Sequence, residues 1–391
     1  MALSGLDIYK LLPKTNCKEC GFATCLAFAM ALAQKKVSLD KCPHVTAQAR
    51  GLLESASQPP IRLVAIGTGD SRVEIGNETV MYRHEQKFHH PSAIGVLIED
   101  TLKDEELTRK ISDINRLTFE RVGQRLDVNL VCVQASSGDK ERFKAAVSKV
   151  AAQSKMNIAL YGDEVCVASA IKTCSQRRPL IICADTAKVD GFVESAKEHK
   201  TPIAITASSL DEASQITDMV KKAGVEDIII NIKAPAAAKR IQDFTFARRS
   251  ALKKNFRALG YPLMAFTDSN DPAMEMAEAI SYIMKYALLV IVKNIDKEYI
   301  YPLLVARQDI YQDPQKPVQV EPRIYEVGKV TDGSPVLVTT NFSITYFTVA
   351  GEVESSKIPS YIISCDSEGM SVLTAWAAEK FTAEKIADTL K

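Results

Sequence analysis

Leu180-Ile-Ile-Cys183, Ile203-Ala-Ile-Thr206 and Asp227-Ile-Ile-Ile-Asn231 are three short apolar runs in succession. The segments between them, 189–199 and 210–223, are each long enough for a helix. Short continuous apolar runs bounded by such segments read as strands buried on both faces, as a parallel sheet covered by helices requires. The same unit repeats outward from this stretch. Runs at 94–98, 128–133 and 157–161 precede it and runs at 262–266 and 288–292 follow it, making eight. Further helix-length gaps lie at 140–153 and 272–284. Eight strand–helix units in this span predict a (β/α)8 barrel over 62–325, with a doubly wound sheet as the second reading.

The barrel region lacks the usual marks of catalysis. No GxGxxG follows a strand, no Walker A loop occurs, and Gly67-Thr-Gly69 is too short for a dinucleotide fingerprint. HExxH and paired carboxylates are missing from the strand ends. Cys132 and Cys183 sit inside apolar runs and read as inert core thiols. Val73 to Tyr82 reads as a hairpin with Gly76-Asn77 at its turn, and the nearby His84, His89 and His90 read as surface or structural residues. Residues 239–257 hold Lys239, Arg240, Arg248, Arg249, Lys253, Lys254 and Arg257 against the single acid Asp243. This basic helix reads first as a solvated face and second as a docking surface for a partner or an anionic ligand.

A length of 391 residues suggests two or three domains, and 46% hydrophobic with 25% charged residues excludes a mainly disordered chain. With 49 basic and 48 acidic residues the net charge is +1, which argues against nucleic acid as a general partner. No apolar stretch is long enough to span a membrane. Met1 to Pro13 carries Asp7 and Lys10 and lacks the pattern of a signal peptide, so a cytoplasmic location is expected.

Four of the nine cysteines fall in the first 42 residues, as Cys17-x2-Cys20-x4-Cys25-x16-Cys42 followed by Pro43. The other five, Cys132, Cys166, Cys174, Cys183 and Cys365, are scattered. An odd total in a chain of cytosolic character argues against a disulfide framework and for a metal centre at the front. A Ser4-Gly-Leu-Asp7 capping box opens a short helix that Pro13 stops, and a helix-forming run starts at Cys25. Gly21 allows a tight turn between ligands. Four thiolates on one loop suit zinc or a [4Fe–4S] cluster, and the 2, 4, 16 spacing with a final Cys-Pro is closer to the cluster. Seven basic residues, Lys10, Lys14, Lys18, Lys35, Lys36, Lys41 and Arg50, against Asp7, Glu19 and Asp40 would offset a net-negative cluster or guide an acidic electron donor; a plain solvated surface is the equal alternative. Ser55 to Pro60 reads as a linker, so the cluster domain is placed at 1–57.

A third piece begins near 326. Pro335 to Thr340 and Pro359 to Cys365 read as strands, Gly369 to Trp376 as a loop turning into a helix, and 382–390 as another helix. Strand, glycine-bearing loop and helix N-terminus form a ligand-binding arrangement in open α/β sheets.

The cysteine motif, the barrel, Thr339-Thr-Asn-Phe-Ser343-x-Thr345-Tyr346, Pro359-Ser-Tyr361 and Gly369-x-Ser371-Val-Leu-Thr374-Ala375 together resemble the large subunit of the corrinoid iron–sulfur protein, the gamma subunit of the acetyl-CoA decarbonylase/synthase complex. The resemblance implies an N-terminal [4Fe–4S] domain, a TIM barrel and a Rossmann-like corrinoid-binding domain over 326–391. It implies a methyl carrier of the reductive acetyl-CoA pathway, a subunit of a transferase system and not a stand-alone enzyme. Cobalt takes methyl from methyltetrahydrofolate with a methyltransferase assisting and passes it to the nickel site of acetyl-CoA synthase. The cluster returns Co(II) to Co(I). It also implies a heterodimer with a small barrel subunit, with the corrinoid between the two.

By the same resemblance the cluster ligands are Cys17, Cys20, Cys25 and Cys42, and the corrinoid contacts are Thr340, Tyr346, Met370, Ser371, Val372, Leu373 and Thr374, with Thr374 near one axial face. No Asp-x-His-x-x-Gly motif occurs and no histidine follows His199, so the corrinoid is expected base-off without a protein histidine ligand. Family members run some tens of residues past the position of Lys391, so 326–391 reads as a truncated domain. An iron–sulfur electron-transfer module on a scaffolding barrel, without corrinoid, is the alternative.

Overall fold

The computed structural model describes residues 5–33, 36–46, 49, 50, 53, 59–184 and 189–390. Ser4, Lys35, most of the expected linker and the boundary at residue 57 lie outside the described residues. At the front, α1 (Gly5–Leu11) and α2 (Cys25–Ala33) share a small core of Ile8, Leu12, Phe28, Ala29 and Leu39.

The centre is a closed barrel of eight parallel strands. A hairpin of β1 (Val64–Ile66) and β2 (Val73–Ile75) precedes it. The barrel strands are β3 (Ala93–Glu99), β6 (Leu130–Gln134), β7 (Asn157–Gly162), β8 (Leu180–Cys183), β9 (Ile203–Ala207), β10 (Ile228–Ile232), β11 (Leu263–Phe266) and β12 (Ala287–Val292). They follow one another around the barrel in chain order, and β12 closes on β3. A second hairpin, β4 (Thr118–Arg121) with β5 (Gln124–Asp127), is inserted after α3 (Asp104–Asn115). The outer ring continues with α4 (Lys140–Gln153), α5 (Glu164–Cys174), α6 (Val189–His199), α7 (Leu210–Lys222), α8 (Ala237–Lys253), α9 (Pro272–Met284) and α10 (Lys297–Tyr311). All eight expected strands are present, and the expected helices appear as α4, α6, α7 and α9.

The strands are apolar on both faces because both faces are covered. Ile94, Val131, Ile158, Ile205 and Ile230 point outward and pack with Ile111, Phe143, Val147 and Phe192 of the helices. Cys132, Ala159, Ile182, Ala204, Ile229 and Leu289 fill the interior. Several helices start on a side-chain cap, with Asp139, Asp163, Ser209 and Asp271 each accepting a backbone N–H that the first turn leaves free.

The first hairpin differs from its expected form. β2 pairs with β1, not with residues beyond Gly76-Asn77, and those two residues end β2 in left-handed backbone. Ile61, Val64, Ile66 and Ile75 enter the interior cluster, and Asn157 donates to the Ser71 carbonyl at 2.6 Å, so the hairpin plugs the N-terminal end of the barrel. The chain leaves strand geometry because Glu78 is drawn inward to the Arg248 guanidinium, 3.1 Å away, with both side chains at most 1% exposed.

The basic helix is also corrected. Arg248 is buried, donates to the Val80 carbonyl and lies over the Phe88 and Tyr286 rings at 4.8 and 4.6 Å. Arg240 is buried and donates to the Phe266 carbonyl, Asp268 and Tyr282. Arg257 holds the Pro59 carbonyl at 3.0 Å, and Asp243 is buried against Lys239. Arg249, Lys253 and Lys254 remain exposed. The pattern misled because these arginines work as fasteners, spending several donors each on main-chain carbonyls.

The last piece is a three-stranded sheet of β13 (Arg323–Val327), β14 (Val336–Thr340) and β15 (Ser360–Cys365), ordered β13-β15-β14. β14 runs parallel to β15 through the crossover helix α11 (Ser343–Ser356), and β13 is antiparallel to β15. Two short helices follow, α12 (Val372–Ala377) and α13 (Ala383–Thr389). Tyr346, Ala350 and Val353 of α11 cover Val327 and Ile362 on one face. Ile324, Val336 and Val338 share the opposite face and are 44%, 58% and 40% exposed.

Candidate functional site

The cysteine loop is built from backbone of alternating hand. Lys14, Asn16 and Lys18 have φ of 59°, 49° and 66°, and Gly21 has 84°. Such winding turns successive N–H groups towards one concavity, which suits a negatively charged occupant. Asn16 ties the two ends of the loop together. Its side-chain oxygen accepts the Cys25 N–H at 2.8 Å, and its own N–H donates to Cys25 Sγ at 3.4 Å. Cys25 opens α2, while Cys42 follows a short turn capped by Ser38. Cys25 and Cys42 are buried in the small core, Cys20 is half-buried and Cys17 is exposed.

The donor set fits an iron–sulfur cluster better than a single ion. A lone tetrahedral zinc with thiolates at about 2.3 Å needs its sulfurs closely gathered. Among the described residues the one compact ligand group is Cys17, Glu19 and His44, within 4.8 Å of one another, which takes in only one of the four thiols. The N–H to sulfur bond from Asn16 to Cys25 is of the kind that cluster thiolates use.

At the other end of the chain, Thr340 closes β14 wholly buried, and Asn341 follows it. Asn341 organises the loop after β15. Its side-chain oxygen accepts from Ser367 N–H, Ser367 Oγ and Gly369 N–H at 2.9 to 3.0 Å. Its amide nitrogen donates to Gln319 and Asp366 at 3.3 Å. Gly369 has φ of 75°, and a Cβ there would sit 2.7 Å from Gln319 Cγ. The loop so held delivers Met370 and Ser371 to the start of α12, which packs against β14. Ser371 and Thr374 hydroxyls meet at 3.0 Å.

Thr340 and Met370 to Thr374 are therefore brought to one end of the sheet. Met370, Ser371 and Val372 are half-buried, while Leu373 and Thr374 are exposed. Tyr346 is placed elsewhere. It lies in the core under α11, its ring 4.5 Å from that of Tyr325. Asn341 was not singled out from sequence, although a buried Asn directly after two strand-end threonines was a legible signal.

Among the described residues, Thr339 Oγ1, Thr340 Oγ1 and Ser364 Oγ are buried without any hydrogen-bond partner. A buried hydroxyl left unsatisfied costs about 1–3 kcal/mol. Such a strand end fits a polar, amide-rich group such as a corrinoid, which would give Thr340 a partner.

A family model described as CO dehydrogenase/acetyl-CoA synthase delta subunit matches residues 63–391, and one described as "Putative Fe-S cluster" matches residues 12–44. The corrinoid/iron-sulfur protein large subunit of Moorella thermoacetica is 45% identical over 392 residues, covering 100% of this chain and 88% of that protein. The chain belongs to this family. Within the corrinoid/iron-sulfur large-subunit family the likeness extends to archaea. The acetyl-CoA decarbonylase/synthase complex subunit gamma of Methanocaldococcus jannaschii is 31% identical over 98% of this chain and 84% of that protein. No helix among the described residues is long and apolar enough to cross a membrane.

Proposed function

We propose that this chain is a methyl-group carrier that holds a [4Fe–4S] cluster at its front and a base-off corrinoid at its C-terminal sheet. The observation that carries the reading is the pairing, in one member of this family, of a four-thiol loop with a strand end of orphaned hydroxyls. Cys17, Cys20, Cys25 and Cys42 would ligate the cluster. Thr340, Met370, Ser371, Val372, Leu373 and Thr374 would hold the corrinoid, and Tyr346 would brace α11 from the core side. When bound, the corrinoid supplies a cobalt centre that takes up and gives up a methyl group, and the cluster supplies the electrons that keep it competent.

The chain's own part is to bind and to shelter. Asn341 fixes the loop that presents Met370 to Thr374. Leu373 and Trp376, 79% and 69% exposed, would exclude water from the corrinoid once a partner closes over them. The fitting partners are the small subunit of the corrinoid iron–sulfur protein, a methyltetrahydrofolate methyltransferase and acetyl-CoA synthase. The donor would be methyltetrahydrofolate and the acceptor a nickel site.

Metal content of anaerobically purified protein, co-produced with the small subunit, tests the reading. About four irons and one cobalt per chain are expected. Cys20→Ala is expected to lose most of the iron while keeping the cobalt. Iron without cobalt in the co-produced protein would replace the carrier by a pure electron-transfer module.

A further inference from the structure

The interior of the barrel changes character at its C-terminal mouth. One layer down, the inward positions on β6, β7, β9 and β10 are Cys132, Ala159, Ala204 and Ile229. Two residues later on the same strands they become Gln134, Tyr161, Thr206 and Asn231. Packing the barrel does not require this switch, since apolar side chains fill such layers equally well.

The polar layer is only partly used. Asn231 donates to Thr206, which donates to the Cys183 carbonyl, and this leaves the Asn231 side-chain oxygen without a donor among the described residues. The Gln134 amide and the Tyr161 hydroxyl have no hydrogen-bond partner among the described residues either. All three line a cavity of about 300 Å³. That is the small end of ligand pockets, in the place where barrels of this kind bind small molecules.

Two features define what fits. Tyr161 and Phe266 come from strands on opposite sides of the barrel, and their rings meet at 4.7 Å with a 31° tilt while packing on the interior cluster. They make an aromatic floor, which favours a flat ring stacked above it. The rim carries Lys233, Arg240 and Lys293 against Asp268. Asp268 is spent on Arg240 at 2.8 Å, so the rim is net positive. Lys293 is held by the Asp268 and Ser269 carbonyls and Asn270, whereas exposed Lys233 has, among the described residues, one long contact of 3.4 Å to the Ala184 carbonyl. A flat floor, an amide-and-phenol wall and one loosely held cation call for three matching features in a ligand.

We propose that the C-terminal mouth of the barrel is a binding site for a small flat heteroaromatic acid. The ring stacks on Tyr161 and Phe266, its polar edge pairs with Gln134 and Asn231, and its anionic group meets Lys233. This site is separate from the cysteine loop and the C-terminal sheet and stands whether or not the methyl-carrier reading does.

The test is calorimetric titration of the full chain, metals in place, with orotate (one ring) and quinoline-2-carboxylate (two rings). Cyclohexanecarboxylate serves as the acid without a flat ring and inorganic phosphate as the anion without any ring. At least one flat acid is expected to bind with a Kd below about 1 mM, and both controls at least about tenfold more weakly. Gln134→Leu and Lys233→Met are each expected to weaken the flat acid about fivefold or more, with circular dichroism and iron content unchanged. Neither residue is buried in the core, so both variants should fold. Failure of both flat acids to bind, binding of a control as tightly as the flat acids, or binding that survives both substitutions would overturn the proposal.

Discussion

The barrel and the pieces at its two ends treat their chemistry in opposite ways. In the barrel every strand has two neighbours, both sheet faces are covered, and even Arg240 and Arg248 of α8 are turned inward onto partners. The C-terminal sheet has its main helix, α11, on one face, leaves Ile324, Val336 and Val338 largely exposed on the other, and holds three hydroxyls without partners among the described residues. Exposed thiols occur only at the front among the described residues, although Cys25, Cys42 and Cys365 are buried like those of the barrel. Cys132, Cys166, Cys174 and Cys183 of the barrel are at most 2% exposed, whereas the front loop leaves Cys17 exposed and Cys20 half-buried. A closed barrel stabilises itself and leaves little outside its mouth for function. The end pieces carry features that only an added group or partner would satisfy.

The largest expected effect lies between the two sets of thiols. In metal-free protein, iodoacetamide should modify Cys17 and Cys20 promptly and leave Cys132 and Cys174 untouched until the chain unfolds, as peptide mapping would show. Burial pushes the Cys174 thiol from its ordinary 9.0 up to about 12. A native group that holds its proton above the unfolded value lends stability that is whole below that value. This contribution should therefore fade as pH climbs from 9.0 towards 12, which urea denaturation at stepped pH would read. Prompt labelling of Cys174 in native protein would erase the contrast.

Next in size is Arg248→Met, which strands Glu78 in the barrel wall. A loss of about 3–5 kcal/mol in the barrel's denaturation is expected, with cluster iron unaffected. Asn341→Ala should act at the other end. It removes the acceptor of three donors and should cost about 1–3 kcal/mol of C-terminal stability, seen as faster hydrogen exchange over 366–371 with the barrel unchanged. Trp376→Ala should be smallest in stability, within about 0.5 kcal/mol, because the side chain is 69% exposed. If corrinoid retention also stayed unchanged, the exposed helix would lose its role as a cover.

Much of this was readable in advance, for identifiable reasons. The β8 and β12 strands were legible because a strand buried on both faces must be apolar throughout, as Leu180 to Cys183 and Leu288 to Val292 are. The Cys17-x2-Cys20-x4-Cys25 spacing is visible in the chain itself, and the Fe-S family model matches the same stretch, residues 12–44. Arg248 was misread because a guanidinium on a helix looks the same in sequence whether it meets water or a buried carboxylate. Gly76-Asn77 does take the backbone of a turn, yet the partner of β2 lies before it and not after it. Tyr346 sits among residues near the strand end in sequence, but a helix turns side chains to different sides, and this one went to the core.

By itself, then, the sequence determined the eight strands, the helices at 140–153, 189–199, 210–223 and 272–284 and the thiol-rich front, since apolar runs and cysteine spacing are local in the chain, while closure of the strands into a barrel was decided by the tertiary structure. The tertiary structure alone decided the plug made by the first hairpin, the inward turn of Arg240 and Arg248, the role of Asn341 and the polar layer at the barrel mouth. Each of those depends on residues distant in sequence meeting in space, as Glu78 meets Arg248 and Tyr161 meets Phe266, and no local pattern records such a meeting.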